Sequence, residues 1–269
     1  MTDDTETRDL TPTVGFVLFG VVLVGMLTFG VFLQALHSQL GLLATELVVI
    51  LGPALLVRRF FDGTRPTLGR AGLSPRWYAW VALTAALIGT GANIVTGLIV
   101  ELAPALQEMA REYEEMVKTL LWPDDPLLAA AGIIAVCVAA PLCEEVLFRG
   151  TILPAQLRSG RPWPWIIVTN GVLFSLLHIN PFGFLALAVV GAFFAHLTLL
   201  TRSLWPAIFA HAVLNTVNGV LTPFLLKDSV VEAVEPQLIE LVVGCAVVVP
   251  LVAAAWAFGA KRLRAVSNV

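Results

Sequence analysis

The chain has 269 residues, of which 58% are hydrophobic and 13% charged, with a mean hydropathy of +0.88. No soluble domain of this length needs so much apolar surface, so the composition excludes a soluble globular enzyme and indicates a polytopic membrane protein. The formal net charge of −3 gives no basis for a nucleic-acid partner.

The leading stretch, Met1 to Thr13, is acidic rather than basic, and the apolar run behind it is long, with no small-x-small cleavage site after it. It is therefore expected to be a span rather than a signal peptide. Segments long enough to cross a bilayer, which takes roughly 20 apolar residues, fall at 14–33, 39–57, 77–100, 127–148, 163–179, 181–200, 205–226 and 239–259. The expected fold class is all-α, a membrane helix bundle with about eight transmembrane helices. The loop from Arg58 to Arg76 is rich in Arg, Gly and Pro and reads as a connector. Between the third and fourth segments, Leu102, Leu106, Met109, Tyr113, Met116, Val117 and Leu120 recur at helical spacing, with Glu108, Arg111, Glu112, Glu115 and Lys118 on the other face. This predicts an amphipathic helix on the extracytoplasmic surface, or a solvated connector helix, with Pro104 in its first turn. The chain divides into 1–126 (three spans and this helix), a core at 127–222, and a last span with its tail at 223–269.

Thirteen of the sixteen Lys and Arg residues fall in the N-terminal arm, the even loops or the C-terminal tail, leaving Arg111, Lys118 and Lys227 in the odd loops. The positive-inside rule then places both termini in the cytoplasm, at the cell membrane. The cysteines Cys137, Cys143 and Cys245 lie in predicted spans without metal-ligand spacing, so neither a disulfide framework nor a Cys metal site is expected.

Chemistry concentrates where charge enters the apolar segments. Glu144 and Glu145 are adjacent and Arg149 follows one turn later. Charge in hydrocarbon costs several kcal/mol and is seldom kept without a partner and a use. Residues four apart share a helix face, so Arg149 can neutralise Glu145 and leave Glu144 free to act as a base. The bland alternative is an ion-pair network that only orders the bundle. The fifth segment carries Phe174 and His178 one turn apart, with Asn170 two turns before His178. The seventh carries His211 and Asn215 at i and i+4, both able to donate to an oxyanion. Either histidine alone reads more readily as an interhelical hydrogen bond. Together, the set supplies what water attack on an amide requires: a base for the water and donors for the tetrahedral oxygen.

Glu144-Glu145-x-x-x-Arg149, Phe174-x-x-x-His178 and His211-x-x-x-Asn215 resemble the three motifs of the CPBP family. These are the CAAX-type and bacteriocin-processing intramembrane proteases, also called Rce1-like or Abi. The likeness spans roughly 127–222. It implies an intramembrane endopeptidase with an eight-helix core, hydrolysing a peptide bond without a cofactor. By resemblance, Glu144 is the water-activating base and His178 its partner. His211 and Asn215 are the oxyanion donors, and Glu145 and Arg149 the electrostatic support. The implied partners are a peptide or protein substrate, prenylated or not, and the lipid bilayer.

Two other functions compete. Glu144, His178 and His211 are a conceivable two-His, one-carboxylate zinc set, although no His-Glu-x-x-His helix occurs. Acid and histidine chains also relay protons in transporters, although no convincing inverted repeat is visible. Among the other polar residues, His196 reads as a core or lumen-facing residue rather than a catalyst, Ser175 as an interhelical contact, Cys143 as a conceivable but disfavoured nucleophile, and Glu46 as an interfacial or helix-start acid. One difficulty is depth. A fourth helix ending near Arg149 puts Glu144 shallow, whereas His178 lies 15 residues beyond Trp163. The depths agree if the fourth helix runs on towards Leu157, or if the fifth is tilted or short. The stretch Ile179 to Gly183 is expected to turn while buried among helices.

Overall fold

The computed structural model describes residues 8–62, 73–221, 223 and 238–267. Arg65, Arg70 and Lys227, and the end of the segment predicted to reach 226, lie outside them. The described residues are almost entirely helical, apart from a two-residue parallel pairing of Arg8–Asp9 with Phe61–Asp62.

Among the described residues, six helices are long and apolar enough to cross a membrane: α1 (Pro12–Leu36), α2 (Ser38–Phe60), α3 (Pro75–Leu102), α5 (Pro126–Leu157), α7 (Phe184–Thr201) and, within Leu238–Ser267 (α9), Ile239–Lys261. Two shorter helices, α6 (Trp163–Leu177) and α8 (205–221), stand at the fifth and seventh expected positions. Between α3 and α5 lies α4 (Pro104–Leu121), where the amphipathic pattern places it.

The starts are written locally. Proline opens α1, α3, α4 and α5 within the first two positions, where its missing N–H costs nothing. Asp125 caps α5, its carboxylate accepting from Leu127 N at 2.7 Å. His37 breaks α1 from α2 with extended backbone and caps the new helix through its ring. Outward faces are apolar: Phe29, Leu36, Val48 and Leu127 are all more than 60% exposed. That pattern suits lipid rather than water as the surrounding solvent.

The chief departure from expectation is the fourth span. It does not stop near residue 148 but runs to Leu157 as the 32-residue α5. Two widened π-helical turns, Ala135–Ala139 and Phe148–Ile152, bracket Glu144 and Glu145. Such turns disturb the regular i to i−4 ladder, and exposed polar backbone is costly in a membrane. Side chains take up the carbonyls near both turns. Asn215 Nδ2 donates to Val136 O at 2.8 Å and Thr151 Oγ1 to Val146 O at 3.0 Å. Asn170 Nδ2 donates to Phe148 O at 3.4 Å, and the Arg58 guanidinium to Gly150 O.

This extension resolves the depth difficulty. Glu144 now lies 13 residues before Leu157, about 20 Å along the axis at 1.5 Å per residue. His178 is 15 residues beyond the start of α6 at Trp163, about 22 Å on the same scale. Since α5 leads into α6 through a short loop, both reach similar depth from the same side. The turn after His178 is only partly buried: Phe182 is 6% exposed, but Ile179 is 55% exposed and holds φ at 50°. A β-branched residue rarely adopts that left-handed conformation. It bends the chain directly after His178 and fixes where α6 ends.

Helices α6 and α7 approach closely through small residues. A Cβ on Gly171 would lie 2.3 Å from Ala188 O and 2.7 Å from Ala192 N. Gly171→Val is therefore expected to lower stability by about 1–3 kcal/mol, read as an earlier thermal unfolding transition in detergent; an unshifted transition would rule out the close approach.

Candidate active site

The site is built around a buried cation. Arg149 and Glu145 are both 0% exposed, and Arg149 Nη1 donates to Glu145 Oε1 at 2.8 Å. Their i, i+4 spacing holds although the second widened turn begins at Phe148. Arg149 Nη2 donates to Gly191 O on α7 at 2.5 Å. Three rings surround the guanidinium: Phe148, Phe174 and Phe194, with centroids 5.5, 4.8 and 5.4 Å away. Such contacts stabilise a desolvated cation. Phe194 and the Gly191 carbonyl had no motif to mark them; only the long apolar run of α7 carried them.

His211 joins the same pair. Its Nδ1 lies 3.0 Å from Glu145 Oε1, and its ring stacks on Phe194 at 4.9 Å between centroids. Because a carboxylate only accepts, the proton of this bond sits on Nδ1. One carboxylate oxygen on α5 thus takes hydrogen bonds from Arg149 on its own helix and His211 on α8. The ion pair lies within α5, and the His211 hydrogen bond ties it to α8.

Glu144 is left over, as the spacing predicted. It is 7% exposed, and its Oε2 is buried without a hydrogen-bond partner. Facing it at 3.9 Å is His178 Nε2. The other ring nitrogen, Nδ1, lies 2.8 Å from Phe174 O. A carbonyl cannot donate, so Nδ1 carries a proton, and in the neutral ring Nε2 is an acceptor. Two acceptors therefore face each other across a gap too wide for a direct hydrogen bond. A water donating one O–H to each fits that spacing.

Asn215 lies one turn beyond His211, with one of its two amide protons committed to Val136 O. The structure thus gathers Glu144, Glu145, Arg149, His178 and His211 by direct contact, and Asn215 adjoins them through the first widened turn of α5. Asn170 belongs to the support: it donates to Gln156 Oε1 at 2.9 Å, away from His178. Ser175 donates to Phe184 O at 2.7 Å, an interhelical contact as expected, and His196 accepts from Trp256 at 3.2 Å. Among the described residues no three His, Cys, Asp or Glu side chains are grouped to hold a metal, since His211 turns Nδ1 to Glu145 rather than joining Glu144 and His178.

The amphipathic α4 reaches this end of the bundle. Gln39 Nε2 binds two of its last carbonyls, Thr119 O and Leu120 O, at 2.8 and 3.2 Å. Tyr113 packs edge-on against Phe182 at 5.5 Å, with its hydroxyl in hydrogen-bonding range of Asn180. The residue as a whole is 41% exposed, while its hydroxyl is buried. That burial pushes the phenol pKa up; Asn180 opposes the shift and the charge of Glu144 adds to it. On the far face, a hydrogen bond to Glu115 pushes the Lys118 pKa up.

Glu46 corrects an expectation. It is no interfacial acid: it is 3% exposed, in a widened turn of α2 (Thr45–Leu51), near enough to Glu144 for their charges to interact.

Residues 126–217 match the family model of the type II CAAX prenyl endopeptidase Rce1-like proteins. The matched segment covers about a third of the chain and holds all seven residues that carry the resemblance. Neither a curated protein nor a solved structure matches the chain. The Rce1-like segment supports a membrane-embedded endopeptidase acting on peptide or protein substrates, in a multi-pass membrane protein.

Removing one member of a buried charge pair costs about 3–5 kcal/mol, because the other is left uncompensated. Arg149→Ala strands Glu145 and should markedly lower the thermal unfolding temperature in detergent. Stability equal to that of the parent protein would contradict the pairing.

Proposed function

We propose that this protein is a glutamate-dependent intramembrane endopeptidase, in which Glu144 deprotonates a water that attacks the scissile carbonyl. The observation that carries this reading is the Glu144–His178 pair: an unpartnered carboxylate oxygen 3.9 Å from a histidine nitrogen whose tautomer is fixed by Phe174 O.

A water donating to both acceptors keeps its lone pairs free for the carbonyl. As the bond to carbon forms, Glu144 takes the water's proton and then passes it to the leaving amine. The tetrahedral oxygen needs donors. Asn215 has one amide proton beyond the one held by Val136 O. His211 gives its Nδ1 proton to Glu145, so it can donate from Nε2 only as an imidazolium. Glu145 and Arg149 fix these groups in a dry interior, where oriented donors act most strongly.

The substrate is a peptide or protein chain reached from within the bilayer, prenylated at its C-terminus or not. Arg149 is a buried residue of α5 rather than of a loop, and the remaining Lys and Arg bias supports cytoplasmic termini at the cell membrane.

Loss of a general base typically costs about 10²–10⁴-fold in rate. Glu144→Gln and His178→Ala should each lower cleavage of a membrane-anchored reporter peptide to that extent, with helical content and unfolding temperature kept. Assaying the reporter with and without a prenyl group separates the substrate classes. Undiminished turnover in Glu144→Gln would reject the mechanism, and activity tracking stoichiometric zinc would favour a metallopeptidase.

A further inference from the structure

Glu46 has no role in the mechanism above, yet it is among the costliest side chains in the bundle. It lies within α2, 3% exposed, and its Oε2 has no hydrogen-bond partner. The charge acting on it is that of Glu144 on α5, and the thiol of Cys143 feels both carboxyls. The widened turn at Thr45–Leu51 packs directly against the Ala140–Leu147 stretch of α5, which fixes this juxtaposition. A buried carboxyl with an unsatisfied oxygen does not persist for packing alone, since an apolar residue there would be cheaper.

Two neighbouring buried carboxyls, each with an unpaired oxygen, cannot both ionise easily, and one proton kept on either of them relieves the repulsion. Its place follows from the surrounding charges. Glu144 adjoins Glu145 on α5, beside the contacts of Arg149 and His211, and faces His178 Nε2 at 3.9 Å. Glu46 stands on α2, where its Oε2 meets no donor. The ionised form is therefore better supported at Glu144 and the neutral form at Glu46.

We propose that Glu46 is a positioning residue of the site, a third carboxyl on a separate span that keeps the pair's proton and so leaves Glu144 ionised as the base. This deepens the endopeptidase reading and rests on it for its purpose, but not for its test. Glu46 supplies no proton to the substrate: the proton taken from water and returned to the amine travels on Glu144, while that of Glu46 stays throughout. The net charge of the carboxyl pair at rest is −1.

The test is infrared spectroscopy of the full chain in lipid at pH 7, comparing parent, Glu46→Gln, Glu46→Asp and Glu144→Gln. A protonated carboxyl has a carbonyl stretch distinct from carboxylate and amide bands. The parent should show it. Glu46→Gln should lose the intensity of one carboxylic acid, Glu46→Asp should move the band rather than remove it, and Glu144→Gln should keep it. A band that survives Glu46→Gln and vanishes in Glu144→Gln overturns the proposal, as does a parent spectrum without it. Either result leaves the endopeptidase reading to stand or fall by its own cleavage assay.

Discussion

The buried contact among Arg149, Glu145 and His211 is the constraint on which the rest of the site depends. A guanidinium and a carboxylate fully removed from water are expensive, and their attraction offsets that cost only with good geometry and further hydrogen bonds. Here the further bonds come from elsewhere in the bundle: the Gly191 carbonyl on α7, the His211 ring on α8 and three phenylalanine faces. The pair thereby fixes three helices relative to one another. It also uses up the charge of Glu145, so that its neighbour Glu144 points elsewhere without a cation of its own.

The backbone carries the second constraint. In α5, widened turns on either side of the glutamates change which face each following residue presents. Carbonyls near them are taken by Asn215, Thr151, Asn170 and Arg58. Some polar side chains of the family-like motifs thus do two things. Asn215 stabilises an irregular stretch of α5 and retains a proton for another acceptor. The left-handed backbone at Ile179 ends α6 where His178 meets Glu144, and α4 lays Tyr113 beside the same turn.

Much of this was legible in the sequence. Apolar runs gave the order and approximate bounds of the helices, because lipid demands uninterrupted apolar faces. The i, i+4 rule gave the Glu145–Arg149 pair and the isolation of Glu144, because that spacing is local. The run of α5 to Leu157 stood in the sequence only as one of several ways to reconcile depths, because Arg149 looked like the end of a span; two of the three rings that admit it come from α6 and α7, distant in sequence. Glu46 was placed at an interface for the same reason: a lone acid near a span's start has no sequence mark of burial. The second bonds of Asn215 and His211 were hidden too, since both depend on how α8 lies against α5.

The most direct test of the account is an experimental structure of the protein in lipid, at a resolution that shows ordered water. The account predicts one water within hydrogen-bonding distance of both the Glu144 carboxylate and His178 Nε2, with Arg149 bonded to Glu145. A structure in which Arg149 pairs with Glu144 instead, or in which Glu144 and His178 open onto separate chambers, would contradict it.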